Sequence, residues 1–263
     1  HIKNMDLRQI AESGQCFRMA MTGDNSARVI AGGRVLYINE EGEGRFDLSC
    51  DDTEYEVCWR DYFDADTDYS VFIDAIDKKD SFLTKAAAYG SGIRILRQEP
   101  FETLISFIIS QRKNIPAIQS SVEKLCRTCG TKISDDIYSF PAPEALAGLS
   151  EHELGACSLG YRVPYVREAA RRVACGETDM DRLKALSDEE LSCELLSFHG
   201  VGKKVANCVM LFGYHRIAAF PVDVWIQRVE DMYYDGRFPV ERYPGFAGVL
   251  QQYMFFYGRN NGV

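Results

Sequence analysis

The sequence predicts an α+β protein of 263 residues, with an antiparallel β-rich N-terminal domain over residues 1–80 and a larger all-α domain over 81–263. Three observations carry this. Apolar runs flank a Gly32-Gly33 pair in "ARVIAGGRVLYINE", which is a hairpin signal. From Phe82 onward the apolar spacing becomes helical, in "FETLISFIIS", "AIQSSVEKLCRTCG", "YVREAARRVACG" and "DEELSCELLSFHG". Gly130, Gly176 and Gly200 then stand where those helices should stop, and Ser187 to Glu190 reads as a capped start.

The N-terminal elements follow from alternation. "RFDLSC" and "YEVCWR" alternate like the hairpin strands and are expected to extend the sheet. Met5 is an expected natural start. A hydrophobic content of 46% in a chain of this length suffices to bury two cores. No apolar run approaches the roughly 20 residues of a membrane span, and the N-terminus has no signal-peptide pattern, so no membrane is expected. Nine cysteines, an odd number, do not suggest a disulfide framework, and most of them read as buried small side chains in a reducing compartment. Cys126 and Cys129 have zinc-like spacing but no second pair, so no metal is expected there.

A net charge of −9 argues against a nucleic-acid partner when taken alone. The charge is uneven, however. "EEGEGRFDLSCDDTEYEVC" and "DYFDADTDYS" are densely acidic, whereas "GYRVPYVREAARRV" and "VGKKVANC" are locally basic. An acidic protein with one basic face is therefore permitted.

The most informative stretch is "FHGVGKKVANCV". Two helices joined by Gly200-Val201-Gly202 would leave free N–H groups at the start of the second, a ready phosphate site; a plain helix–helix turn is the alternative. Gly200 and Gly202 are expected to use positive φ and to approach a ligand closely. Lys203 and Lys204 lie about 100° apart on a helix, so one can face solvent while the other points inward. Partial positive charge at a helix start disfavours an ammonium ion and so favours a neutral, nucleophilic amine. Asp223, flanked by Pro221-Val222 and Val224-Trp225, suits a helix cap and should be partly buried.

Gly-Val-Gly-x-Lys followed after nineteen residues by an aspartate resembles the helix–hairpin–helix DNA glycosylase superfamily. "ESGQCFRM", "GIRILRQEPFETLISFIIS", "LGYRVPYVREAARRV" and "GVLQQYMFFYGR" resemble, in order, segments of its 8-oxoguanine glycosylases, so the likeness covers most of the chain. The resemblance implies an N-terminal sheet of TATA-binding-protein type and a helix–hairpin–helix at about 188–214. It implies Lys204 as the nucleophile of a bifunctional glycosylase and abasic-site lyase, with Asp223 essential beside it. Gly14 would accept from the N7 proton of 8-oxoguanine, Gln251 would bond the base's Watson–Crick edge, and Cys208 and Phe255 would sandwich its faces. Tyr161 and Arg162 resemble the wedge and the contact to the estranged base.

The pattern departs at Arg112 and Ala117, which stand where relatives place an asparagine and an arginine. Strict preference for cytosine opposite the lesion is correspondingly not expected. Trp225 stands where relatives have a histidine. The expected partner is double-stranded DNA containing 8-oxoguanine, bound by a monomer in a bacterial cytoplasm at the nucleoid, with no cofactor. An endonuclease III-like pyrimidine glycosylase and a non-catalytic DNA-binding module remain the rivals.

Overall fold

The computed structural model describes residues 2–42 and 44–262. Four strands form one antiparallel sheet in sequence order: β1 (Met19–Met21), β2 (Ser26–Ala31), β3 (Arg34–Gly42) and β4 (Arg45–Leu48). The tight β2–β3 turn is Gly32-Gly33, with Ala31 paired to Arg34 and both glycines at positive φ, as the hairpin signal predicts. The Arg45–Leu48 strand forms as expected, but "YEVCWR" does not. Residues Asp52–Tyr62 are helical, with a π turn at Tyr55–Trp59. The reason lies in spacing: Tyr55, Cys58, Trp59, Tyr62 and Phe63 face the core at intervals of three and four, a helical stripe that alternation obscures. Asp51 caps its start, and Trp59 Nε1 donates to Glu54 within it.

Beyond this point the chain is helical, apart from a two-stranded ribbon of β5 (Lys132–Ser134) and β6 (Ile137–Tyr138). That ribbon is a small addition to an otherwise helical domain. It is set up by Gly130, where a Cβ would fall 2.1 Å from the Ser139 carbonyl oxygen, so only glycine lets the two chain ends close on each other. Ser187 forms the expected capping box with Glu190, which opens the Asp188–Leu196 helix. None of the described helices is long and apolar enough to cross a membrane.

Buried side chains fall into two clusters. The smaller packs the sheet against Ile10, Trp59 and Phe63, and the larger fills the helical body. The chain passes from the first to the second between Ala65 and Tyr69, ahead of residue 80. Residues 13–17 and 93–98 run along the seam, contributing Cys16 and Leu96 to one cluster and Phe17, Ile93 and Ile95 to the other.

The 94–98 segment has neither helix nor sheet partners, so its backbone groups must be satisfied individually. Leu96 N–H donates to Gln15 Oε1 at 2.9 Å, and Gln15 Nε2 donates back to the Arg94 carbonyl at 2.9 Å. Ile95 N–H donates to the Tyr69 hydroxyl, Arg97 N–H to the Tyr62 carbonyl and Gln98 N–H to the Phe212 carbonyl. The fully buried Arg94 guanidinium donates to the carbonyls of Lys3, Phe63, Asp64 and Thr67 and stacks over Tyr69 at 4.2 Å. Asp64 beside it is pushed up by burial, but bonds from His215 and Arg97 outweigh this and hold its carboxyl down to about 2.

Arg94→Met should cost about 3 kcal/mol or more, because each stranded buried carbonyl carries roughly 1–3 kcal/mol. Urea unfolding measures it, and a loss below about 1 kcal/mol would show that the seam does not rest on this guanidinium.

Candidate active site

Two helices supply much of the lining of a cavity of about 560 Å³. On the Lys203–Phe212 helix, Lys204, Cys208 and Phe212 recur at intervals of four and so share a face. On the Ala247–Asn261 helix the same spacing brings Gln251, Phe255 and Arg259 to the cavity. Gly14 enters from the turn after the Leu7–Glu12 helix, and Pro221, Asp223 and Trp225 enter from the segment leading into the Val224–Tyr233 helix. All six residues expected to handle the base and the reaction, namely Gly14, Lys204, Cys208, Asp223, Gln251 and Phe255, therefore line one space.

The two lysines divide as their spacing requires. Lys203 is exposed, whereas Lys204 is half-buried with its Nζ 5.0 Å from the centroid of the Phe107 ring. Phe107 stacks on Phe212 and meets the edge of Phe17, so the amine lies on an aromatic floor rather than in bulk water. Cys208, one turn on, is buried. Burial pushes its thiol up to about 11, with the neighbouring Lys204 amine pulling the other way, so it is a neutral wall group at physiological pH.

Asp223 is the N-cap of its helix, accepting from Trp225 N–H at 3.0 Å and Ile226 N–H at 2.9 Å through Oδ1. Burial raises its carboxyl above the ordinary aspartate value, and the capping N–H groups and Lys204 only partly offset that. A carboxylate and an amine thus share a low-dielectric cavity, and the cap holds the carboxylate in place.

Gly14 has φ +74°, a conformation that favours glycine, and a Cβ there would stand 3.2 Å from Phe255 Cε1 and 3.3 Å from Ile115 Cδ1. Its neighbours are locked: Ser13 Oγ donates to the Ile10 carbonyl, and Gln15 is clamped to the 94–98 segment. The turn is therefore held against the Phe255 ring by contacts that do not involve the cavity.

Gly200, Gly202, Arg112, Tyr161 and Arg162 lie outside the cavity wall. Gly200 has φ +82°, and a Cβ there would lie 2.5 Å from the Tyr165 ring, so conformation and space both demand glycine. Gly202 departs from expectation: its φ is −100° and it is the N-cap of the lysine helix, with no side-chain cap bond to its N–H groups. Tyr161 is half exposed. Arg162 is buried, with its guanidinium 4.3 Å from the Tyr161 ring and donating to the Leu159 and Gln111 carbonyls. Gln111 in turn donates from its side chain to the Gly200 carbonyl at 3.1 Å, tying the hairpin to the exposed Arg112, which sits at φ +52°. Ala117 lies in the first turn of the Ile115–Cys129 helix, its N–H capped by Asn114.

Phe107, Gln252 and Arg259 also line the cavity, and Gln111 supports the hairpin, although no motif in the sequence points to them. Phe107 sits in an unbroken apolar run with no local sign of its role. Gln252 did carry one, as the second of two adjacent amides inside the largely apolar run 247–256.

Comparison with known proteins is consistent along the chain. The family described as the N-terminal domain of 8-oxoguanine DNA glycosylase matches residues 1–104, and that of HhH-GPD superfamily base excision DNA repair proteins matches residues 105–236. A probable N-glycosylase/DNA lyase of Methanothermobacter thermautotrophicus is 30% identical over 76% of this chain and 74% of its own. Among solved structures, MBOgg1 bound to a low-affinity DNA ligand aligns with a TM-score of 0.94 and 36% identity, over 100% of this chain and 94% of that one. The Clostridium acetobutylicum 8-oxoguanine glycosylase/lyase, bound to double-stranded DNA with cytosine opposite 8-oxoguanine, aligns with a TM-score of 0.94 and 33% identity, over 99% and 94%.

Gly14→Ala should lower stability by about 1–2 kcal/mol through its left-handed backbone and displace the Phe255 ring slightly, away from the new methyl group. Urea unfolding and a crystal structure of the variant check the two effects. An unmoved ring at unchanged stability would contradict both.

Proposed function

The chain belongs to the HhH-GPD superfamily of base excision DNA repair proteins and carries the N-terminal domain of 8-oxoguanine DNA glycosylases, and on that premise we propose that Lys204 is the nucleophile with which it excises 8-oxoguanine from duplex DNA and then cleaves the strand. The observation that carries this is the convergence of an amine, a carboxylate, a stacking ring, an amide and a backbone turn, drawn from four distant segments, on one cavity of about 560 Å³. A base turned out of the helix needs faces to stack on and an edge to bond. Cys208 and Phe255 serve the first need here, and Gln251 and the Gly14 carbonyl the second.

The reaction follows from the groups available. The neutral Lys204 amine attacks C1′ of the extruded nucleotide, a C–N bond forms, and the glycosidic bond breaks with its electron pair leaving on the base. Opening of the sugar gives a protonated Schiff base, its ring oxygen leaving as a hydroxyl. Loss of a C2′ proton then expels the 3′ phosphate by β-elimination, and hydrolysis of the imine returns the lysine. Asp223 stabilises the cationic sugar and takes part in the proton transfers. The Gly200 hairpin holds DNA phosphate on the N–H groups at the start of the lysine helix, while Tyr161 fills the gap that the base leaves. The enzyme acts as a monomer, with the bacterial nucleoid as its working place.

Borohydride trapping on duplex DNA containing 8-oxoguanine tests the nucleophile. The wild type and Lys203→Gln should give the trapped complex and Lys204→Gln none, with DNA binding retained. Trapping that survives in Lys204→Gln but is lost in Lys203→Gln would reverse the assignment.

Asp223→Asn separates chemistry from folding. Because burial raises this carboxyl in the folded state, its ionised form at neutral pH costs stability, while the protonated form is favoured below the raised value. Asparagine keeps the cap and removes the charge, so the variant should be as stable as the wild type or more so at pH 7, and slower in single-turnover excision by about 100-fold or more. Wild-type activity should fall as acid protonates Asp223, at a pH above the ordinary aspartate range. Full activity in a folded Asp223→Asn protein would remove its role.

A further inference from the structure

Gln251 and Gln252 are adjacent on the Ala247–Asn261 helix, and both are buried in the cavity wall. Their amides form a chain. Gln251 Nε2 donates to the Pro221 carbonyl at 2.9 Å, and Gln252 Nε2 donates to Gln251 Oε1 at 3.0 Å. The direction of this chain is forced. A carbonyl can only accept, so the Gln251 atom facing Pro221 must be its NH₂; the Gln251 oxygen then faces Gln252, which must answer with its own NH₂. Reversing either amide would set two oxygens or two NH₂ groups against each other.

The arrangement leaves one atom over. Gln252 Oε1 is buried and has no hydrogen-bond partner among the described residues. A stranded acceptor works against stability, and an apolar side chain of similar length would fill the position without it. Filling space therefore does not account for the amide at 252, whereas its donated bond to Gln251 does.

We propose that Gln252 is a positioning residue: by donating to Gln251 Oε1 it joins the Pro221 carbonyl in fixing which way round the Gln251 amide faces the cavity, and so makes the site prefer a purine with a guanine-type edge over one with an adenine-type edge. This rests on the base-excision reading above. A guanine-type edge offers an acceptor oxygen beside a ring N–H donor, while an adenine-type edge offers an amino donor beside a ring-nitrogen acceptor. An amide held in one orientation matches one of these edges. An amide held by the Pro221 carbonyl alone turns over more readily and so matches either more evenly.

The test uses single-turnover excision from two duplexes that are identical except for the lesion, 8-oxoguanine or 8-oxoadenine opposite the same base. The two lesions share the oxidised five-membered ring and differ on the edge. In the wild type 8-oxoguanine should be removed faster, and Gln252→Met should lower the ratio of the two rates by about tenfold while thermal stability stays equal or rises. Loss of a merely structural contact would lower stability and slow both substrates together. Gln252→Glu, close in shape and unable to donate when ionised, should lower the ratio likewise and carries the comparison if the methionine variant does not fold. Ratios within about twofold of wild type in the folded variants would overturn the proposal. Failure of the wild type to excise either lesion would instead overturn the excision reading. The Gln251 side-chain amide resonances then test the positioning alone: protons slow to exchange in the wild type and fast in Gln252→Met support it, and equal exchange rates overturn it.

Discussion

A chain segment that runs through the interior outside any helix or sheet must find partners for its backbone N–H and carbonyl groups, and residues 94–98, of which 94–96 are buried, impose that demand at the seam between the two cores. The partners come from everywhere the active cavity needs support. Gln15 closes one side and so fixes the turn that carries Gly14. Phe212, at the end of the lysine helix, accepts from Gln98 N–H on the other. Arg94 ties the same segment to Lys3, Phe63, Asp64 and Thr67. Placing Gly14 against Phe255 and placing the lysine helix are thus consequences of one set of hydrogen bonds, and the small sheet domain helps to build the site without lining most of it.

The cavity itself works by unequal burial of charge. The Lys204 amine rests over an aromatic floor, and the Asp223 carboxylate, raised by burial, is held by two N–H groups of the helix it caps. A cap is worth about 1 kcal/mol in an exposed position, and in this position the same bonds orient a reactive group. One residue therefore terminates the chain segment Pro221-Val222, starts a helix and faces the amine. A polar group kept at a cost to stability is what a functional site is expected to retain, and the unpartnered oxygen of Gln252 belongs with it.

Acidity overall and affinity for DNA are reconciled by location. The dense acidic runs fall in and after the N-terminal sheet, in residues 40–68, where Arg60 forms ion pairs with Glu56 and Asp66, and Arg97 with Asp61 and Asp64. The hairpin side instead carries Arg112, Lys113 and Arg162 beside Gly200, with Gln111 linking them. Lys113 and Lys124 both donate to Ser158, which holds the loop before Tyr161. Phosphate attraction depends on the local field within about a Debye length, roughly 8–10 Å at physiological salt, so a net charge of −9 does not decide the matter.

What the sequence by itself determined is what neighbouring residues decide among themselves. The Gly32-Gly33 hairpin, the Ser187 capping box, the Asp223 cap and the opposite exposure of Lys203 and Lys204 all follow from turn chemistry and a 3.6-residue period. Where a short stretch supports two periods, as in "YEVCWR", burial of Trp59 and Phe63 by distant residues chose the helix. The convergence of Gly14, Lys204, Asp223, Gln251 and Phe255 was legible only through a family resemblance, since no spacing rule joins residues more than two hundred positions apart. Tertiary structure alone decided that Arg162 is spent on the Gln111 carbonyl, that Phe107 lies under the amine and that the Pro221 carbonyl orients two glutamines. Each is a contact between separate segments. Its existence depends on how the whole core packs, because a buried donor or acceptor takes whichever partner the fold brings within 3 Å or so.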